Sequence, residues 1–133
     1  MNRLLLQISS KKHTDFVEIT REVSEAIQDQ GWSDGLLHLF VAHTTCGLTI
    51  NENADPDVLH DLEIRLNDLA PWQHKQDLHG EGNSAAHLKS SMMGVSLSIP
   101  VADGQMTLGT WQGIYLCEFD GPRTRKIHLT FLK

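Results

Sequence analysis

Short runs of alternating apolar and polar residues make up most of this chain, and they predict its elements. Leu4–Ile8 reads as a strand, and a second follows near Phe16–Ile19. Thr20 opens a helical pattern in which Val23 and Ile27 share a face, and Gly31 stops it. Leu36–His43 reads as a buried strand and Gly47–Ile50 as a short one. Asp55–Pro56 is a helix start, with an acidic N-cap and proline in the first turn. Val58, Leu62, Leu66 and Leu69 then recur at helical spacing and give that helix one apolar stripe. Pro71 to Asn83 is polar and reads as a loop. Ser84 is expected to cap a short helix that runs through Met93 and ends at Gly94.

The rest of the chain is strand-like: Val95–Val101, Met106–Leu108, Ile114–Phe119 and Lys126–Leu132, the last in strict alternation. Asp103–Gly104 is a hairpin signal, and Asp120-Gly121-Pro122 turns the chain again. Such short turns join antiparallel neighbours. The expected fold is therefore α+β, mostly antiparallel sheet with two or three short helices, in one domain spanning 1–133. A chain of 133 residues can bury roughly two thirds of its unfolded surface, so a real core is feasible.

Charge narrows the functions open to it. Seventeen acidic against eleven basic residues give a net charge of −6, a poor balance for binding nucleic acid or an anionic membrane. No stretch approaches the ~20 apolar residues of a membrane helix, and Leu4-Leu5-Leu6 is too short for a signal peptide core. The cytoplasm is the expected location. Cys46 and Cys117 both sit in apolar stretches and read as small buried hydrophobes.

Eight histidines invite a metal or acid–base reading. His13, His38, His74 and His128 read as ordinary surface or core residues, and His60 as structural. His43 ends a buried strand face shared with Leu37, Leu39 and Val41, with the hydroxyls of Thr44 and Thr45 beside it. His79 and His87 flank Gly80-Glu81-Gly82-Asn83. His87 falls in the first turn of the following helix, with Ser91 one turn on along the same face. Three histidines with an open fourth position is a known zinc arrangement, but the spacing His79-x7-His87 is no recognised metal signature. Asp55, Asp61, Glu81 and Glu118 are the candidate acids, and the last three could move a proton or anchor a histidine. Glu118 continues the apolar row of Ile114 and Leu116, so it is either solvated at a strand end or deliberately buried. Lys89, Arg123 and Arg125 are the cations available to hold a phosphate. In Gly109-Thr110-Trp111-Gln112-Gly113, two glycines bracket an aromatic and an amide, and the plain structural reading is a kinked hairpin with Trp111 in the core.

Taken together, these motifs resemble the YjbQ-like family. The resemblance is carried by His43-Thr44-Thr45, by Leu48-Thr49-Ile50-Asn51-Glu52-Asn53 with Asp55-Pro56, and by His79-Gly80-Glu81-Gly82-Asn83 leading to His87-Leu88-Lys89-Ser90-Ser91. Its strongest part is Leu108-Gly109-Thr110-Trp111-Gln112-Gly113-Ile114, followed by Glu118-Phe119-Asp120-Gly121-Pro122-Arg123. Cys46 departs from it, standing where a small residue is usual. The resemblance implies a homotrimer with weak thiamine-phosphate synthase activity, joining hydroxymethylpyrimidine diphosphate to hydroxyethylthiazole phosphate with release of pyrophosphate. It also implies a divalent metal, zinc or another such as magnesium, on His43, His79 and His87. Asp61, Glu81 and Glu118 would then be the catalytic acids, and Thr44, Lys89, Ser91, Thr110, Gln112, Arg123 and Arg125 the groups that bind a small phosphorylated substrate. Two other readings stay open: a metal-dependent hydrolase of a small phosphorylated molecule, and a non-catalytic trimer that binds an anion or a metal.

Overall fold

The computed structural model describes residues 2–133. In chain order the elements are β1 (Arg3–Ser9), β2 (Asp15–Glu18), α1 (Thr20–Gln30), β3 (Gly35–Val41), β4 (Cys46–Glu52), α2 (Pro56–Leu69), α3 (Ser84–Met93), β5 (Ser96–Ala102), β6 (Gln105–Met106), β7 (Gln112–Glu118) and β8 (Thr124–Leu132). They form a five-stranded sheet ordered β1-β8-β3-β5-β6 and a three-stranded sheet ordered β2-β7-β4. Every pairing within them is antiparallel. The α+β fold expected from the pattern is the one observed.

Alternation along the strands explains the layers. On the five-stranded sheet, Leu37, Leu39 and Val41 of β3 and Ile127, Leu129 and Phe131 of β8 are buried on one face. They meet Leu48, Ile114 and Leu116 of the three-stranded sheet and Val23, Ala26 and Ile27 of α1 in the main core. The opposite face of the three-stranded sheet carries Tyr115 and Cys117, which pack with Phe119 against Leu66 of α2 and Ala86 of α3. β7 is thus buried on both faces, as its near-continuous apolar run requires. The outer face of the five-stranded sheet is different: Leu5, Leu36, Phe40 and Leu132 are exposed there.

The helix signals operate largely as written. Asp55 caps α2 by accepting the Asp57 N–H at 2.9 Å, and Gly31 ends α1 in the left-handed conformation, φ 68°. Some details differ: β3 ends at Val41, two residues before His43, and β6 is only Gln105–Met106. Leu69 is 69% exposed, and the buried stripe of α2 runs to Leu66 and Ala70. The N-cap of α3 is Asn83, one residue before Ser84. Trp111 is 63% exposed at the tip of its loop, outside the core. Among the described residues, no helix is long and apolar enough to cross a membrane.

Candidate functional site

β3 ends at Val41, and the chain leaves the sheet through Ala42, His43 and Thr44 before β4 begins at Cys46. The polar loop after α2 brings His79 and Glu81 to the same end of the molecule, and the first turn of α3 adds His87. The turn between β7 and β8 supplies Arg123, and the first inward position of β8 supplies Arg125. These residues, with Thr44, Thr45 and Asn83, line one cavity of about 400 Å³. The three histidines singled out in the sequence therefore share a cavity although they come from three segments.

The floor of that cavity is a buried ion pair. Glu118 is 0% exposed and Arg125 4%, because both sit on inward rows, Glu118 beyond Ile114 and Leu116 and Arg125 before Ile127. Arg125 donates from Nε to Glu118 Oε1 at 2.8 Å and from Nη2 to Oε2, and Nη2 also reaches Thr45 Oγ1 at 2.8 Å. Ser10 Oγ and the Asp120 N–H complete the carboxylate's partners at 2.8 and 3.0 Å. Burial alone would raise the Glu118 pKa, but the hydrogen bonds from Arg125, Ser10 and Asp120 outweigh it and hold the carboxyl below its usual range. Such a group is anchored as an acceptor by all of its partners. The partner that Glu118 holds is Arg125, which it fixes in place at the cavity floor.

Asp120 organises the rim. Its carboxylate accepts from Asn83 Nδ2 at 2.9 Å and Arg123 Nη2 at 3.1 Å, and lies 3.6 Å from His13 Nε2. Arg123 also donates from Nε to the Asp120 carbonyl, which pins its guanidinium at the mouth. Asn83 uses its amide nitrogen on Asp120, and its Oδ1 is, among the described residues, the buried side-chain polar atom without a partner.

His43 is half-buried, and its Nε2 accepts the backbone N–H of Lys126 at 2.9 Å. A neutral imidazole has one lone pair, so this bond leaves the proton on Nδ1. Burial lowers the pKa of His43, and the nearby Arg125 lowers it further. His79 and His87 face each other edge to face with ring centroids 5.3 Å apart, and Glu81 Oε1 lies 3.9 Å from His79 Nε2. Among the described residues, no three His, Cys, Asp or Glu side chains already converge closely enough to hold a metal. The fit to a three-histidine ion is therefore partial. His79 and His87 suit it as adjacent imidazoles, whereas His43 suits it only after releasing the Lys126 amide.

Several expected site residues lie elsewhere. Asp61 pairs with its neighbour His60 at 3.0 Å on the exposed side of α2. The Ser91 hydroxyl donates to the His87 carbonyl at 3.0 Å. Thr110 and Gln112 precede or begin β7, whose far end carries Glu118. Six residue steps along the strand separate Gln112 from Glu118, about 20 Å at the usual rise. Gln112 Oε1 accepts the Gly109 N–H at 2.8 Å and closes its own loop. Lys89 lines a different cavity. None of these five lines the histidine cavity within one chain. Sequence reasoning missed Asn83 and Asp120 as rim residues. Both stand inside quoted motifs, but their role depends on two loops meeting.

A family profile described as UPF0047 protein YjbQ-like matches residues 5–133. The chain is 50% identical over 127 residues to the UPF0047 protein YugU of Bacillus subtilis, covering 96% of each. It is 46% identical to a UPF0047 protein of Methanocaldococcus jannaschii, covering 95% of this chain and 91% of that one. Among solved structures, an uncharacterised conserved protein of Clostridium acetobutylicum superimposes with a TM-score of 0.92 at 44% identity, covering 97% of this chain and 99% of that one. A conserved hypothetical protein of Thermus thermophilus gives 0.91 at 47% identity, with the same coverage.

Proposed function

The chain belongs to the UPF0047 family of YjbQ-like proteins, and from that premise we propose that it is a cytoplasmic enzyme acting on a small phosphorylated substrate in the histidine cavity. The observation that carries this reading is the meeting of His43, His79, His87, Arg123 and Arg125 in one cavity. Guanidinium groups match phosphate oxygens in geometry and charge. Arg125 is held rigid by Glu118 and Thr45, and Arg123 by Asp120, so both are set before a ligand arrives. With Nε2 occupied by the Lys126 amide, His43 offers Nδ1–H as a further donor.

Of the reactions such a cavity suits, the thiamine-phosphate synthase type is preferred on the family resemblance. In it the thiazole nitrogen bonds to the methylene carbon of the pyrimidine. The carbon–oxygen bond to the diphosphate breaks, and the electron pair leaves on pyrophosphate. The two arginines and His43 Nδ1–H would steady the departing charge; the step releases no proton, and Glu81, the one carboxylate in the lining, would orient His79. A divalent metal, zinc or magnesium among the candidates, would add positive charge at the leaving group when bound beside His79 and His87. That addition matters because Glu81 and the buried Glu118 offset much of the arginine charge. A homotrimer completes the reading. Its support is the exposed apolar side chains of Leu36 paired with Leu132, and of Leu5 and Phe40 either side of His128, on the outer face of the larger sheet, which a second copy would cover.

The test is turnover of purified protein with both thiamine precursors, with and without chelator. Pyrophosphate release coupled to condensation, lost in Arg123→Ala, supports the synthase reading. Chelator-sensitive phosphate release from simple phosphate esters, without condensation, transfers support to the hydrolase reading. Absence of both rejects the enzyme reading.

A further inference from the structure

A second cavity, of about 550 Å³, opens between the β1–β2 turn, α2 and α3. It is lined by Lys12, His13 and Thr14 from the turn, Glu63 and Asn67 from α2, Trp72 after α2, and Lys89 from α3. Its chemistry differs from that of the histidine cavity. Lys89 is only 4% exposed, yet its ammonium has a neutral partner: Nζ donates to Asn67 Oδ1 at 2.5 Å. It lies 5.9 Å from the centroid of the Phe119 ring. None of the ion pairs among the described residues includes it. An ammonium has three donors, so this one is buried with donors to spare and no counter-charge in contact. Buried charges are ordinarily paired, because leaving water is costly for them. Burial lowers the Lys89 pKa, and the charge of Glu63 only partly opposes that.

The rest of the lining points the same way. Lys12 is the second cation and Glu63 the single acid, a local excess of positive charge on a chain of net charge −6. Trp72 is half-buried and stands edge to face with His13, centroids 4.4 Å apart, so an indole and an imidazole border the same space. A flat apolar group beside an anion is what such a wall accommodates.

We propose that this cavity is a second ligand site, separate from the histidine cavity, for a small organic anion whose carboxylate or phosphate is held by Lys89 and Lys12 and whose planar part lies against Trp72. The site is independent of the reaction assigned to the histidine cavity and stands or falls without it.

The probes are phenyl phosphate and benzoate, which separate the two anionic groups, and the readout is the Trp72 indole N–H resonance in the full chain. Saturable perturbation of that resonance by either probe is the expected result, with the more effective probe naming the anion. Lys89→Met keeps the length of the stem and removes the charge. It should weaken the preferred probe about tenfold or more, the scale of a charge-assisted hydrogen bond, without lowering thermal stability in the absence of probe. If Lys89 merely ties α3 to α2 through Asn67, Lys89→Met loses stability and no probe moves Trp72; that result overturns the proposal. Should Lys89→Met fail to fold, Lys12→Ala on the exposed rim carries the test, and unchanged probe affinity there overturns it equally.

Discussion

Replacing Glu118 by Gln tests the frame on which the candidate site rests. The substitution keeps size and shape and removes one charge from a pair in which Glu118 is 0% and Arg125 4% exposed. The wild-type carboxylate accepts from Ser10 Oγ, the Asp120 N–H, and Nε and Nη2 of Arg125. In the variant, the amide turns a donor toward at least one of those donors, and the guanidinium is left buried without a counter-charge. Breaking a buried pair on one side costs about 3–5 kcal/mol. For a domain of this size that is a fall in Tm on the order of 10–20 °C. Urea unfolding at neutral pH would read it as a lower midpoint at unchanged slope. The double variant Glu118→Met with Arg125→Met should recover part of the loss, since apolar residues of similar volume commonly replace such pairs without penalty, while Ser10 Oγ and the Asp120 N–H lose their acceptor. The wild-type pair should also give an acid-sensitive stability. The folded-state pKa of Glu118 lies below its ordinary value of 4.5, so its contribution is complete above that value and disappears as pH falls through the lowered one. A loss below about 1 kcal/mol in Glu118→Gln, the scale of a solvent-exposed pair, would mean that the pair does not behave as a buried one.

Three further outcomes are expected. His43 should titrate below its ordinary value of 6.5 and carry its proton on Nδ1 when neutral, as read from ring nitrogen shifts. Stability attributable to it should decline as pH falls from 6.5 through the lowered value, because the unfolded chain takes the proton first; a raised value would contradict the burial and Arg125 effects. Cys46, whose thiol burial pushes up to about 11, and Cys117, pushed up further, should resist a thiol-specific disulfide reagent in the folded protein and react on unfolding. His87→Ala should remove any bound divalent metal found by elemental analysis of the wild type, and full metal content in the variant would reject the assignment of that histidine.

Much of the fold was legible because its signals are local. The Asp55–Pro56 start, the Gly31 stop and the Asp103–Gly104 turn each depend on a few neighbouring residues, and each stands where the sequence places it. The row of Ile114, Leu116 and Glu118 was equally readable, but the choice between a solvated and a buried carboxylate was not. Arg125, the residue that decides it, lies on another strand of the opposite sheet. The same limit applied to the site. The three histidines could be singled out from strand-end and loop placement, whereas the separation of Lys89, Asp61, Ser91, Thr110 and Gln112 from them follows from packing. Motif membership groups residues by segment, and a cavity groups them by where segments meet.

His43, His79, His87, Arg123 and Arg125 line one cavity, the proposed binding site for a phosphorylated group. Calorimetric titration of pyrophosphate into the wild type and Arg123→Ala, each with and without zinc, tests it most directly. Saturable binding by the wild type, strengthened by the metal, is the expected result, with affinity about tenfold or more weaker in Arg123→Ala, the scale of a lost charge-assisted contact. No binding by the wild type, or equal affinity in the two proteins, would contradict it.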